Sequence, residues 1–140
     1  MFKRSDLDRP LPASNRELAQ ANDRILADYL AELQRNRLVN QVRAALIDEL
    51  PNGKPSEEVI AQAVYMGART LQRKLAGEGS SFSKLLDEVR KELAERYIED
   101  QTRTISEVSF LLGFSESSAF SRAFRRWTGE APSRYRSRSQ

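Results

Sequence analysis

Apolar residues recur along the chain at three- to four-residue spacing and nowhere alternate with polar ones, so the pattern predicts helices throughout and no strand. A Ser14–Glu17 capping box opens a first stripe of Leu18, Ala21, Ile25, Leu26, Tyr29, Leu30 and Leu33. A second stripe, Leu38, Val42, Ala45, Leu46 and Leu50, follows with no Pro or Gly between. The two therefore make one long helix or two that part near Asn36, and Pro51, Asn52, Gly53 and Pro55 end the run. Residues 1–13, with Pro10 and Pro12 among charges, show no period and read as an extended lead-in.

From Ser56 the rhythm shortens. Ser56 with Glu57 and Glu58 starts a helix carrying Val59, Ile60, Ala63 and Val64; Gly67 interrupts it before a second helix with Leu71 and Leu75, stopped at Gly77 and Gly79. Ser80 or Ser81 then caps a longer helix with Phe82, Leu85, Leu86, Val89, Leu93, Tyr97 and Ile98 on one face. From Phe82 to Glu99 this strut spans about 27 Å. The short rhythm returns with a Thr104–Glu107 capping box and Ile105, Val108, Leu111 and Leu112. A Gly113–Phe114 turn leads to a helix from Ser115 bearing Phe120, Phe124 and Trp127, closed by Gly129, and Pro132 opens a last helical turn.

The two short-helix pairs repeat. Leu71-Gln72-Arg73-Lys74-Leu75 and Phe120-Ser121-Arg122-Ala123-Phe124 share an apolar, polar, Arg, x, apolar frame. The apolar pair at i and i+4 faces inward in each, which turns the Arg and its polar neighbour outward. A helix, a tight turn and a second helix presenting Arg make the helix-turn-helix layout that places a helix in a DNA major groove. Successive grooves on one face of B-DNA recur about every 34 Å, a separation the strut can hold. The expected architecture is all-α: two homeodomain-like helix-turn-helix subdomains (residues 36–80 and 101–140), a connecting helix (81–100) and an amino-terminal linker with its helix (1–35).

Composition narrows the chemistry. The 140 residues contain neither Cys nor His, which removes thiolate nucleophiles, His-based triads, disulfides and Cys/His zinc sites; inventory alone leaves a carboxylate, Ser or Lys enzyme open, but no constellation supports one, so no cofactor, metal or enzymatic activity is expected. Glu88, Glu92, Glu95 and Glu99 could suggest a carboxylate metal site, but Lys84, Lys91 and Arg96 stand at i,i+4 positions, so the expectation is an exposed face of ion pairs. Gly77-x-Gly79 follows a helix and reads as a stop signal rather than a dinucleotide loop. The net charge of +3 says little by itself, yet residues 101–140 carry seven basic groups, all arginine, against three acidic ones. No apolar run is long enough to cross a bilayer and no signal-peptide core follows the amino terminus, so a cytoplasmic protein without a membrane partner is expected.

The stretch from Thr104 to Arg136, with Gly113-Phe114, the Phe120-Ser-Arg-Ala-Phe run, Gly129, Pro132 and Tyr135-Arg136, resembles the carboxy-terminal signature of the AraC/XylS family of bacterial transcription regulators. The first repeat with Arg69-Thr-Leu-Gln-Arg73 and the strut resembles that family's other helix-turn-helix, so the similarity covers residues 36–138. Gly67 departs from it, standing where many members have a capping serine. The amino-terminal stretch from Leu7 is similar to the effector-domain end and linker of a subgroup that includes ornithine-utilisation regulators, which implies a carboxy-terminal piece of a longer protein.

The resemblance and the helix faces together put Arg69, Gln72, Arg73, Ser117, Ser118, Ser121 and Arg122 forward for base contacts, and Lys74, Arg125, Arg126, Arg134 and Arg136 for phosphates. Phe82, Phe114, Phe120, Phe124 and Trp127 are expected in the core rather than against bases. Double-stranded promoter DNA is the expected partner, with RNA polymerase second. The 140 residues are expected to bind as a monomer, and the intact protein to dimerise through an amino-terminal domain. Two other readings compete: a helical protein-interaction module with incidental DNA affinity, and a small carboxylate-dependent hydrolase resting on the acidic stripe alone.

Overall fold

A computed structural model describes the backbone of residues 16–139, and side chains from residue 20 to 138 apart from 34 and 35. Ser14 and the lead-in lie outside the described residues. Seven helices follow one another among those described: α1 (Arg16–Glu49), α2 (Glu57–Ala63), α3 (Ala68–Gly77), α4 (Phe82–Ile98), α5 (Ile105–Leu111), α6 (Ser117–Thr128) and α7 (Pro132–Ser139), with a single 3-10 turn at Leu50–Asn52. No strand occurs among them, and none of these helices is long and apolar enough to cross a membrane.

Apart from Leu50, which opens the 3-10 turn, the described residues of the two apolar stripes belong to one helix, with no break at Asn36. The chain nevertheless divides into two compact units, Met1–Asn36 and Arg37–Gln140. In the first, Ile25, Leu26, Tyr29, Leu30 and Leu33 keep their helical spacing but stand exposed. The second unit holds two apolar cores. One is aliphatic, with Leu38, Val42, Leu46 and Leu50 closing on Ile60, Leu71, Leu75 and Leu85. The other gathers Ala94, Ile98, Val108, Leu112, Phe120 and Phe124. α4 feeds both cores and is the beam on which the halves are built.

Local chemistry sets the helix ends. The Ser56 hydroxyl accepts from the Val59 amide at 3.2 Å, Ser81 does the same for Lys84 at 3.1 Å, and Thr104 with Glu107 closes the full capping box. The last helix of the second pair begins two residues later than the serine at 115 suggests: Glu116 is its N-cap, in extended backbone, and Ser117 its first residue. The turn from α2 to α3 therefore has four residues and that from α5 to α6 has five. After α4, Asp100 accepts from the Thr102 hydroxyl at 2.6 Å and the Thr102 amide at 3.0 Å, and these bonds hold its carboxyl below the usual carboxylate range.

Along the acidic stripe of α4, Glu88 and Glu92 are paired by Arg43 of α1, not by Lys84 and Arg96 on their own helix. The stripe fastens one helix to another where local pairs were expected. Pairing across helices is favoured here because half-buried Arg43 already lies beside both carboxylates.

Candidate nucleic-acid interface

The two repeat frames behave alike. Leu71, Leu75, Phe120 and Phe124 are fully buried, and Arg73 and Arg122, two positions into each frame, are exposed. Burying an i,i+4 apolar pair fixes the rotation of each helix about its axis, so the Arg-bearing face has no choice but solvent. On α3 the exposed set is Arg69, Gln72, Arg73 and Lys74. Gln72 donates from Nε2 to the Glu57 carboxylate at 3.2 Å, a bond that holds its amide over the start of α2.

On α6 the polar face begins with Ser117 and Ser118, both exposed, continues with half-buried Ser121, and ends with exposed Arg122, Arg125 and Arg126. The two leading serines are engaged in exposed bonds: Ser117 Oγ with Ser106 Oγ at 3.2 Å, and Ser118 Oγ donating to Glu116 at 3.3 Å. The Ser117–Ser106 bond is neutral and exposed and so contributes little net energy, whereas Ser118 is held by the Glu116 carboxylate.

The expected phosphate contacts divide. Lys74, Arg122, Arg125 and Arg134 project without an ion pair among the described residues. Arg126 reaches Asp87 of α4 at 3.0 Å, although 63% of its side chain remains accessible. Arg136 is spent on the fold: its Nε donates to the Ile98 carbonyl at 2.8 Å and Nη2 to the Asp100 carbonyl at 3.2 Å, satisfying acceptors at the end of α4. The aromatic residues pack as expected, with Phe120 and Phe124 in the core and Phe114 and Trp127 half-buried against it.

Two residues the sequence did not single out hold the second pair against α4. Asp87 receives the Trp127 indole N–H at 3.1 Å. Half-buried Arg90 donates from Nε to the Leu112 carbonyl at 2.7 Å and from Nη2 to the Gly113 carbonyl at 3.0 Å, and its guanidinium lies 4.0 Å from the Phe114 ring centre. Desolvation lowers the pKa of Arg90 from its ordinary value, with Asp87 opposing. The one available signal was position, a charge set between Val89 and Leu93 on the flank of an otherwise apolar face.

Gly113 is there for space as well as conformation. Its φ is +80°, and a Cβ on it would lie 3.0 Å from the Gly53 carbonyl carbon, 3.1 Å from the Lys54 nitrogen and 3.1 Å from Leu50 Cδ2. The turn of the second pair is thus pressed against the loop that precedes the first.

Known proteins agree with this arrangement. The family described as Helix-turn-helix domain matches residues 60–138. The ornithine utilization regulator of Pseudomonas aeruginosa is 37% identical over 131 residues, covering 93% of this chain and 38% of that protein. A DNA-binding transcriptional dual regulator from Escherichia coli K-12 superposes with a TM-score of 0.68 at 27% identity, over 73% of this chain and 91% of that one. The DNA-binding domain of AdpA, a global transcriptional factor solved with a target DNA, superposes at 0.59 with 29% identity, over 71% of this chain and 89% of that one. The chain spans 38% to 42% of the length of several curated relatives that match along most of it.

Proposed function

Because the chain belongs to the AraC-type helix-turn-helix family of transcription regulators, we propose that it reads double-stranded DNA by seating α3 and α6 in successive major grooves of one duplex. The observation that carries this is the doubled frame: two apolar pairs wholly buried, with Arg73 and Arg122 turned outward at equivalent positions of two helices built on one beam. In this reading Arg69, Gln72 and Arg73 carry base readout on one side. Arg prefers the O6/N7 edge of guanine and Gln the N6/N7 edge of adenine. Ser117, Ser118, Ser121 and Arg122 serve the other side, while Lys74, Arg125, Arg134 and the accessible part of Arg126 hold phosphates. Arg136 is placed outside that set, since its Nε and Nη2 already serve α4.

The work is binding rather than catalysis, carried out where the DNA is, in the cytoplasm. RNA polymerase is the second partner this reading implies, since a promoter-bound regulator acts on the enzyme that starts there.

Selection of bound duplexes from a random pool tests the proposal. The expected product is an asymmetric site of about 17–21 base pairs bound by one copy of the chain. A strictly palindromic site that requires two copies overturns it. Scrambling the half-site under α3 should cost more affinity than scrambling the one under α6, since each mismatched pair costs about 1–3 kcal/mol and α3 offers more bidentate side chains. Footprinting assigns the halves. Arg73→Ala should relax base preference in one half, whereas Arg134→Ala should weaken all sequences alike.

A further inference from the structure

We propose that Lys54 makes a third contact to the duplex, gripping a backbone phosphate in the stretch between the two grooves; this rests on the reading above, in which α3 and α6 share one duplex.

The placement comes from both halves at once. Lys54 lies two residues ahead of Ser56, the N-cap of α2, and its amide nitrogen sits 3.1 Å from where a Cβ on Gly113 would be. On one side it shares a cleft with Ser115 and Ala119 at the start of α6. On the other it shares a second cleft with Ser56 and Glu57, and Glu57 holds Gln72 of α3. Lys54 therefore stands between the two faces offered to bases, adjoining the start of one and one hydrogen bond removed from the other.

Between two major grooves on one side of a duplex lie the phosphates that flank the intervening minor groove. The ligand chemistry is thus a phosphodiester, and the matching group is a free cation with no need to read a base. Lys54 qualifies: it is exposed and has no ion pair among the described residues. The other cation lining its clefts, Arg90, is committed to the Leu112 and Gly113 carbonyls. The loop is also held in place. Gly53 and the Lys54 amide pack against Gly113 and Pro55 is buried, so the lysine side chain leaves from packed backbone.

The test measures the dependence of affinity on salt, by fluorescence anisotropy, for the wild-type chain, Lys54→Gln and Lys54→Arg on the selected duplex and on one with both half-sites scrambled. Losing one phosphate contact should lower the slope of log K against log salt by about 0.9 and weaken binding about five- to tenfold at 0.1 M salt on both duplexes. Lys54→Arg should keep the wild-type slope, and thermal melts of both variants should match the wild type. Ethylating the phosphates between the half-sites should reproduce the loss in the wild type and add nothing in Lys54→Gln. An unchanged slope in Lys54→Gln, or a loss confined to the selected duplex, overturns the clamp while leaving the two-groove reading intact. A wild-type chain that prefers no sequence overturns both.

Discussion

The two helix-turn-helix pairs have nearly the same backbone and different reasons for keeping it. In both turns the first helix ends on the same bonds: Tyr65 N–H to Gln62 and Met66 N–H to Ala61 in one, Gly113 N–H to Phe110 and Phe114 N–H to Ser109 in the other. In both the next residue adopts a left-handed conformation, at φ +62° for Tyr65 and +80° for Gly113. Yet Tyr65 is 94% exposed, whereas Gly113 is buried against the loop around Gly53. One turn accepts a bulky residue in that conformation because its side chain projects into solvent. The other must be glycine because another backbone lies against it. The cores differ in kind too: aliphatic around Leu71 and Leu75, aromatic around Phe120 and Phe124, whose rings are 5.7 Å apart with Tyr135 edge-on to Phe124 at 5.1 Å. Equivalent folds are thus held by dispersed packing in one half and by a few large rings in the other.

Removing one ring is the strongest way to break the comparison. Phe120→Ala should cost about 3–5 kcal/mol, and Leu71→Ala, its counterpart, about 1 kcal/mol less, read from urea unfolding followed by circular dichroism. Equal costs would mean that neither the larger volume nor the ring contacts of Phe120 add to what a leucine contributes. Next, Gly113→Ala should cost about 2–4 kcal/mol, because left-handed strain and a clash with backbone act together. The same denaturation experiment decides, and a loss below about 1 kcal/mol would show that the loop yields. Arg90→Met removes a half-buried cation and strands two carbonyls, for about 1.5–3 kcal/mol. It should also let the chain accept duplexes whose half-sites are moved apart by one base pair, a change that competition binding detects.

Two smaller substitutions sharpen the contrast. Tyr65→Gly should leave stability unchanged or raise it by up to about 1 kcal/mol, the relief of left-handed strain being offset by glycine's extra entropy when unfolded. A clear loss would reveal a contact by the tyrosine ring. The recognition helices both start without a side-chain cap, at Gly67 and Glu116, while the helices before them are capped by Ser56 and Thr104. Gly67→Ser should add only a few tenths of a kcal/mol to stability, measured as a small rise in Tm.

What the sequence revealed and what it hid divide along local and non-local lines. The burial of Leu71 and Phe120, the Thr104–Glu107 box and the outward turn of Arg73 and Arg122 follow from spacing within one helix, and spacing is written in the chain. The partner of Glu88 and Glu92 is on another helix, so local pairing rules pointed to Lys84 and Arg96 where Arg43 is in place. Arg136 looked like every other arginine of the basic tail; only the fold brings the end of α4 within its reach. Ser115 is a good capping residue, yet it stands one position before the N-cap, Glu116, whose side chain makes no capping bond, because the second turn is longer than the first by one. Nothing in a tyrosine announces a positive φ, so the left-handed Tyr65 is a property of the fold that its residue type does not carry.

Arg90 and Gly113 together leave the two halves little freedom to slide: one ties the second turn to the beam, the other seats it on the loop of the first half. If both halves seat on one duplex as proposed, a gauge this stiff shifts the burden of adjustment onto the DNA. Duplexes bend, and the energy of bending depends on which base steps are bent, at about 1–6 kcal/mol for a smooth curve over a site of this size. On the proposed two-groove reading, the base pairs between the two half-sites, touched by no recognition side chain, thereby acquire a vote in which duplexes are bound.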